Sequence, residues 1–264
     1  MKTPRARTML TAAALTLMVA ATMASAKEWS TIRVGVDPTY PPFESVATNG
    51  AVQGFDIDLG NALCAKLKAK CVWVQSSFDG LIPGLQARKF DVILSSMAAT
   101  AKRREQIDFT ERLYRNQTRL IARDSAHLLP EASKLAGKRV AVEQGTVQET
   151  YVREKWAPSG VEAVAYPSYD QAYSDLVAGR VDAVLMDAVQ GKLGFLTTPS
   201  GKGFAFAGDV VYDAKIMGDG DAAGVRKSDP ELRDALNGAI ADILRDGTYR
   251  RIEAKYFDFD MYGK

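Results

Sequence analysis

The sequence predicts an α/β protein of two lobes, each a mostly parallel sheet flanked by helices, with the chain crossing between them twice. Three observations predict it. Short apolar runs alternate with amphipathic segments along the chain, which is the rhythm of βαβ units. One half of the sequence faintly echoes the other. Removing a 26-residue leader from 264 residues leaves 238, enough for two domains of about 100–120 residues.

Met1–Ala26 reads as a secretory signal. Lys2, Arg5 and Arg7 precede an apolar run from Met9 to Met23, and Ala24-Ser25-Ala26 supplies a small-residue cleavage site. The run is interrupted by threonines and falls short of the roughly 20 apolar residues of a membrane span, so an exported, soluble protein cleaved after Ala26 is expected. No cysteine ends the signal, so no lipid anchor is expected.

Beyond the leader, strands are predicted at Ile32–Val36, Val72–Val74, Val92–Leu94, Val140–Val142, Val161–Ala165 and Ala183–Met186. Amphipathic helices are predicted at Asp56–Lys68, Val147–Trp156 and Tyr169–Ala178. The echo pairs the ten residues from Leu85 to Leu94 with those from Leu176 to Leu185, each a helix end, a tight turn and a buried strand. A second echo pairs Arg33–Asp37 with Arg139–Glu143, so each half offers a strand that ends in a carboxylate. The chain leaves the first pattern around Tyr114–Thr118 and returns through Gly218-Asp219-Gly220 and Ala222–Arg226. The last stretch, Pro230–Phe257, starts at Asp229-Pro230 and breaks at Gly247; it is assigned to the first lobe. Lobe I is therefore expected to hold residues 27–115 and 219–264, and lobe II residues 116–218. Two crossings make a hinge.

The leader carries three of the 34 Lys and Arg and none of the 32 Asp and Glu, so the mature chain has 31 basic against 32 acidic residues and a net charge of −1. A near-neutral surface of mixed sign speaks against a nucleic-acid partner, which needs a concentrated basic face. Cys64 and Cys71 lie at the end of a predicted helix and the start of the next strand, a spacing suited to a local disulfide in an oxidising compartment. Two free buried thiols are the other reading. A metal site is disfavoured because the sole histidine, His127, has no ligand cluster around it; no catalytic residue and no cofactor is assigned.

The most informative segment is Phe90–Arg104, where a buried strand ends in hydroxyls and runs at once into basic residues. Ligands bind α/β sheets outside the carboxyl ends of the strands, so Ser95, Ser96 and Arg103 have the right types and spacing to hold a small carboxylate. On these residues alone, a plain strand end followed by a solvated arginine stays open.

Several motifs together resemble the periplasmic solute-binding proteins of amino-acid ABC transporters, solute-binding protein family 3, and within them the lysine/arginine/ornithine- and histidine-binding branch. They are Gly54-Phe55-Asp56-Ile57-Asp58-Leu59, Phe78-Asp79-Gly80-Leu81-Ile82-Pro83, Ser95-Ser96 with Lys102-Arg103-Arg104, Glu143-Gln144-Gly145-Thr146, Asp187, and Asp246-Gly247-Thr248-Tyr249 with Lys255-Tyr256-Phe257. The cysteine pair matches the same branch. The resemblance spans the mature chain and implies the two-lobed periplasmic-binding-protein fold, a monomer, an amino-acid ligand and a transient inner-membrane permease partner.

By resemblance, Arg103 would clamp the ligand α-carboxylate, helped by backbone N–H groups near Ser96 and Thr146, and Gln148 would be a further ligand-binding position. Asp187 would pair with the α-ammonium, Ser95 supplying an oxygen. Tyr40 and Phe78 match aromatic wall positions, and Asp37 the position that receives a cationic side-chain end. Three departures stand out. Ala98 replaces a serine common in that branch, Val147 replaces a second hydroxyl, and Glu143 occupies a position commonly aliphatic. Glu143 would add a second carboxylate near the side-chain end and favour arginine over neutral ligands; the competing reading has it facing solvent or pairing with a neighbouring Lys or Arg. The main rival function is a cyclohexadienyl (arogenate or prephenate) dehydratase on the same scaffold, with Glu143 or Asp37 as general acid. An opine-type arginine derivative is a further candidate ligand, and a sensory ectodomain a weaker third reading.

Overall fold

The computed structural model describes residues 29–263; the secretory leader lies outside them. The strands, in chain order, are β1 (Thr31–Val36), β2 (Thr39–Tyr40), β3 (Glu44–Val46), β4 (Val52–Gln53), β5 (Lys70–Gln75), β6 (Val92–Ile93), β7 (Asp108–Tyr114), β8 (Thr118–Arg123), β9 (Arg139–Glu143), β10 (Glu162–Tyr166), β11 (Ala183–Asp187), β12 (Phe204–Val211) and β13 (Asp221–Val225). They form two five-stranded sheets, ordered β5-β1-β6-β13-β7 and β10-β9-β11-β8-β12, and a small antiparallel β2-β3-β4 sheet that the sequence pattern does not predict.

The large sheets are built alike. In each, three parallel strands lie side by side, and the fourth in order runs antiparallel to both its neighbours. The antiparallel strands are β8 and β13, the two that enter a sheet directly after the chain has crossed from the other. A single reversal in each sheet is the geometric consequence of crossing and turning back.

The predicted helices form close to their expected limits. The first, Phe55–Lys66, sits on a face of the first sheet, and the disulfide Cys64–Cys71 ties its last turn to β5 with Cα atoms 5.8 Å apart. The segment after Thr146 starts as an α-helix, Val147–Tyr151, and widens to a π-helical turn over Val152–Trp156. In the helix Pro230–Arg245 the buried residues Leu232, Leu236, Ala239, Ile240 and Ile243 repeat at helical spacing, and that face packs on β7 and β13. Gly54, at φ 135°, starts the first helix where a Cβ would stand 2.2 Å from the Phe43 carbonyl oxygen, so no larger residue fits between β3 and that helix.

Register brings the functional ends together. Val34 and Gly35 of β1 pair with Val92 and Ile93 of β6, so the chain leaves both strands side by side at Asp37 and at Ser95-Ser96. In the second sheet, Ala183 and Val184 of β11 pair with Val140 and Ala141 of β9, and Asp187 pairs with Thr118 of β8. Glu143 and Asp187 thus end neighbouring strands. The carboxyl ends of both parallel sets point into one cleft.

Candidate functional site

A cavity of about 730 Å³ lies between the two sheets. All of the predicted ligand-binding residues line it: Asp37, Tyr40, Phe78, Ser95, Ser96, Ala98 and Arg103 from the first-sheet side, and Glu143, Thr146, Val147, Gln148 and Asp187 from the second.

Arg103 is 8% exposed, so the reading of it as a solvated helix residue does not describe this structure. Thr100 caps the short helix that carries it, accepting from the Arg103 backbone N–H at 3.2 Å. Its Nη1 donates to the Ala98 carbonyl at 2.9 Å and its Nη2 reaches across the cleft to the Gly145 carbonyl at 3.0 Å. The guanidinium lies 5.3 Å over the Phe78 ring. Burial lowers it to about 10, against the charges of Asp221 and Asp187, and it remains a cation. Two of its five N–H groups are engaged, so the fork can still grip a carboxylate. Gly145, at φ 78°, lies against the opposite wall, where a Cβ would stand 3.1 Å from Asp79 Cα.

Asp187 accepts from the Tyr40 hydroxyl at 2.8 Å and from Gln148 Nε2 at 2.7 Å. Burial raises its carboxyl to about 6, opposed by these two hydrogen bonds and by Arg103. Thr146 caps its helix, accepting from the Glu149 N–H at 3.1 Å and donating to the Glu143 carbonyl at 2.7 Å.

Both serines are bonded within the protein. The Ser95 hydroxyl is committed on both sides, accepting from the Asp37 N–H and donating to Glu44, each at 2.9 Å. It has one lone pair left for a ligand ammonium. The Ser96 N–H donates to Asp56 Oδ2 at 2.8 Å, while the Ser96 and Tyr114 hydroxyls lie 3.0 Å apart and Tyr114 donates to the same Asp56. These serines help to build the cleft floor.

Glu143 settles one open reading. It is 3% exposed, and among the described residues no Lys or Arg pairs with it. Burial drives its carboxyl well above the ordinary range, and Asp37, Asp187, Asp170 and Asp79 add repulsion. Asp37 is also raised, by burial, although Thr39 donates to its Oδ1 through N–H at 3.2 Å and hydroxyl at 2.8 Å. The two strand-end acids, one from each sheet, create a demand for a cation or a proton.

Two buried carboxyl groups of the cavity are not predicted from the sequence. Glu44, 1% exposed, follows Pro41-Pro42-Phe43; its Oε1 takes the Ser95 hydrogen bond and its Oε2 has no partner among the described residues. Asp221 begins β13 just after the glycine-rich return crossing. The sequence signal for Asp221 is a carboxylate at the start of an apolar strand.

A cleft between two like sheets, with a buried guanidinium on one wall and buried acids on both, defines a small-molecule binding protein for a charged ligand. The chain belongs to the bacterial extracellular solute-binding proteins, family 3, whose model matches residues 32–259, and it is a binding protein rather than an enzyme. It is 49% identical to the histidine-binding periplasmic protein of Salmonella typhimurium over 88% of this chain and 89% of that one. It is also 49% identical to the lysine/arginine/ornithine-binding periplasmic protein of Escherichia coli, over 88% and 90%. The solved structure of an ancestral arginine-binding protein bound to arginine superposes with a TM-score of 0.81 at 32% identity, covering 88% of this chain and 100% of that one.

Proposed function

We propose that this protein captures a basic L-amino acid, arginine foremost and lysine, ornithine and histidine beside it, in the cleft and delivers it to an ABC importer. The observation that carries this reading is the pair of buried strand-end acids, Asp37 and Glu143, lining one cavity from opposite sheets with no basic partner among the described residues. A carboxylate held in a closed cleft needs a cation or a proton, and a guanidinium or ammonium side chain supplies the cation. Arg103 takes the α-carboxylate, Asp187 and Gln148 face the α-ammonium, and Tyr40 and Phe78 flank the stem. A zwitterion held by both walls favours closure, which is the differential affinity a hinge requires.

In this reading residues 27–115 with 219–264 form one lobe and residues 116–218 the other. The chain is exported to the periplasm, cleaved after Ala26, and meets its inner-membrane permease transiently as a monomer. Thermal unfolding of the mature protein with arginine, lysine, ornithine, histidine, glutamine, an opine and arogenate tests it. A ligand at about 100 times its Kd stabilises by roughly 2.7 kcal/mol, several degrees for a chain of this size. Shifts with the cationic amino acids alone are expected; a shift with arogenate or the opine alone would overturn the assignment.

A further inference from the structure

Asp221 opens β13 and pairs with Ala98 through an isolated antiparallel bridge. Flanking hydrogen bonds fix that pairing: the Ala99 N–H donates to the Gly220 carbonyl at 2.9 Å and the Ala222 N–H to the Met97 carbonyl at 3.1 Å. The side chain is 4% exposed and lines the cavity together with Ala98, Arg103 and Asp187. Asn116 Nδ2 donates to its Oδ2 at 3.2 Å, which leaves Oδ1 for a ligand.

The charged and titratable groups facing it are Arg103, the carboxylates Asp187 and Asp56, and the Tyr114 hydroxyl. Arg115 and Asp219, ion-paired at 3.2 Å on the two crossings, lie on the same cavity wall. Arg103 is tied to this spot directly, since its Nη1 donates to the carbonyl of Ala98. Ala98 and Val147 are the positions where the resembling branch keeps hydroxyls and this chain keeps none. Across the ladder from the first of them stands a buried carboxyl group.

Resting on the reading that the Arg103 end of the cleft receives a ligand carboxylate, we propose that Asp221 is a specificity-determining residue at that end. Its carboxyl group takes the place of the hydroxyl missing at Ala98 and donates a hydrogen bond from Oδ1 to the ligand carboxylate beside Arg103. The proton stays on Asp221, and the ligand oxygen accepts. Burial, with Asp187 and Asp56 adding repulsion, favours the protonated form against Arg103 and Asn116, and an incoming carboxylate favours it further. Any Asp221 still ionised before closure takes up a proton on binding such a ligand, and the site selects basic amino acids with a free carboxylate over their decarboxylated amines.

Isothermal titration of arginine and agmatine into wild type, Asp221→Asn and Asp221→Ala, in buffers of different ionisation enthalpy, tests this. Loss of one hydrogen bond to a charged group predicts about a tenfold fall in arginine affinity for Asp221→Ala, with agmatine changed by less than about threefold. The Asn variant, which keeps a donor of the same shape, rescues arginine binding and takes up less proton than wild type. Thermal unfolding checks that both variants fold; should the Ala variant not fold, the proton count and the arginine-to-agmatine ratio of the Asn variant decide. Equal losses of arginine in both variants, or a loss of agmatine as large as that of arginine, would mean an ionised Asp221 pairing with ligand ammonium and would overturn the proposal. Unchanged arginine affinity in Asp221→Ala would do the same, whereas a wild type that binds no basic amino acid would instead remove the functional reading beneath it.

Discussion

The Tyr40 hydroxyl donates to Asp187 Oδ2 at 2.8 Å, and this hydrogen bond joins the two lobes across the cleft. Tyr40 sits on β2, stacked near Phe43 and tilted against Tyr169 of the opposite side, with ring centroids 5.9 and 5.7 Å away. The carboxylate proposed to face the ligand ammonium thus also holds the lobes together. Removing the hydroxyl should weaken closure by about 1 kcal/mol. Tyr40→Phe is expected to raise the radius of gyration of the protein without added ligand in X-ray scattering, and to weaken arginine about threefold to tenfold by calorimetry. An unchanged radius would show that the hydrogen bond does not hold the lobes closed.

Asp187→Asn removes the charge and keeps the size. Truncating one partner of a buried charge pair costs about 2–5 kcal/mol, so arginine affinity should fall by more than about thirtyfold. Gln148→Leu, which deletes only an orienting donor, should cost less. A ranking in the opposite order would place the ammonium elsewhere.

Glu143→Leu restores the residue type common in the resembling branch and should narrow the discrimination between arginine and glutamine. A charge-assisted hydrogen bond contributes about 1.5–3 kcal/mol, so arginine affinity should fall about tenfold or more while glutamine gains. Titration of both ligands measures it; an unchanged ratio would remove Glu143 from the side-chain end.

Burial gives Glu143 a raised carboxyl in the folded protein, which fixes the sign of a pH effect. The folded form holds a proton that the unfolded chain loses near about pH 4.3, so the contribution is full below that value and is lost as pH rises toward the folded one. Without ligand, the unfolding midpoint should therefore drop more between pH 5 and 8 for wild type than for Glu143→Gln. A cationic ligand offsets the ionised carboxylate, so the stabilisation by arginine should grow over the same range. Parallel curves for the two proteins would show that Glu143 ionises freely when folded.

The disulfide Cys64–Cys71 closes a short loop, with a sequence separation of 7, and neither cysteine lines the cavity. The loop-entropy relation gives about 2.5 kcal/mol for a loop of this length. Replacing both cysteines by serine should lower the midpoint by about 5–10 °C at roughly 2–4 °C per kcal/mol and leave arginine affinity within about twofold. A large loss of affinity would mean that the loop shapes the cleft.

The sequence by itself determined the local order of elements, because hydrophobic period is a property of neighbours along the chain. The runs at Ile32–Val36 and Ala183–Met186, the helix behind Gly54 and the break at Gly247 were all legible in that way. The residue pattern also carried Arg103 and the strand-end acids Asp37 and Glu143, and the family resemblance carried Asp187. The tertiary structure alone decided which groups face each other. That Ser95 is spent between Asp37 and Glu44, that Ser96 serves Asp56, and that Tyr40 reaches Asp187 depend on strand register and on two lobes closing over one another. Asp221 is the clearest case. Its sequence neighbours mark it only as the start of a strand, and it faces Arg103 because an antiparallel bridge sets it opposite Ala98, 123 positions away in the chain. Burial turned these acids from ordinary surface charges into groups that demand a cation or a proton, and burial is a property of the whole fold.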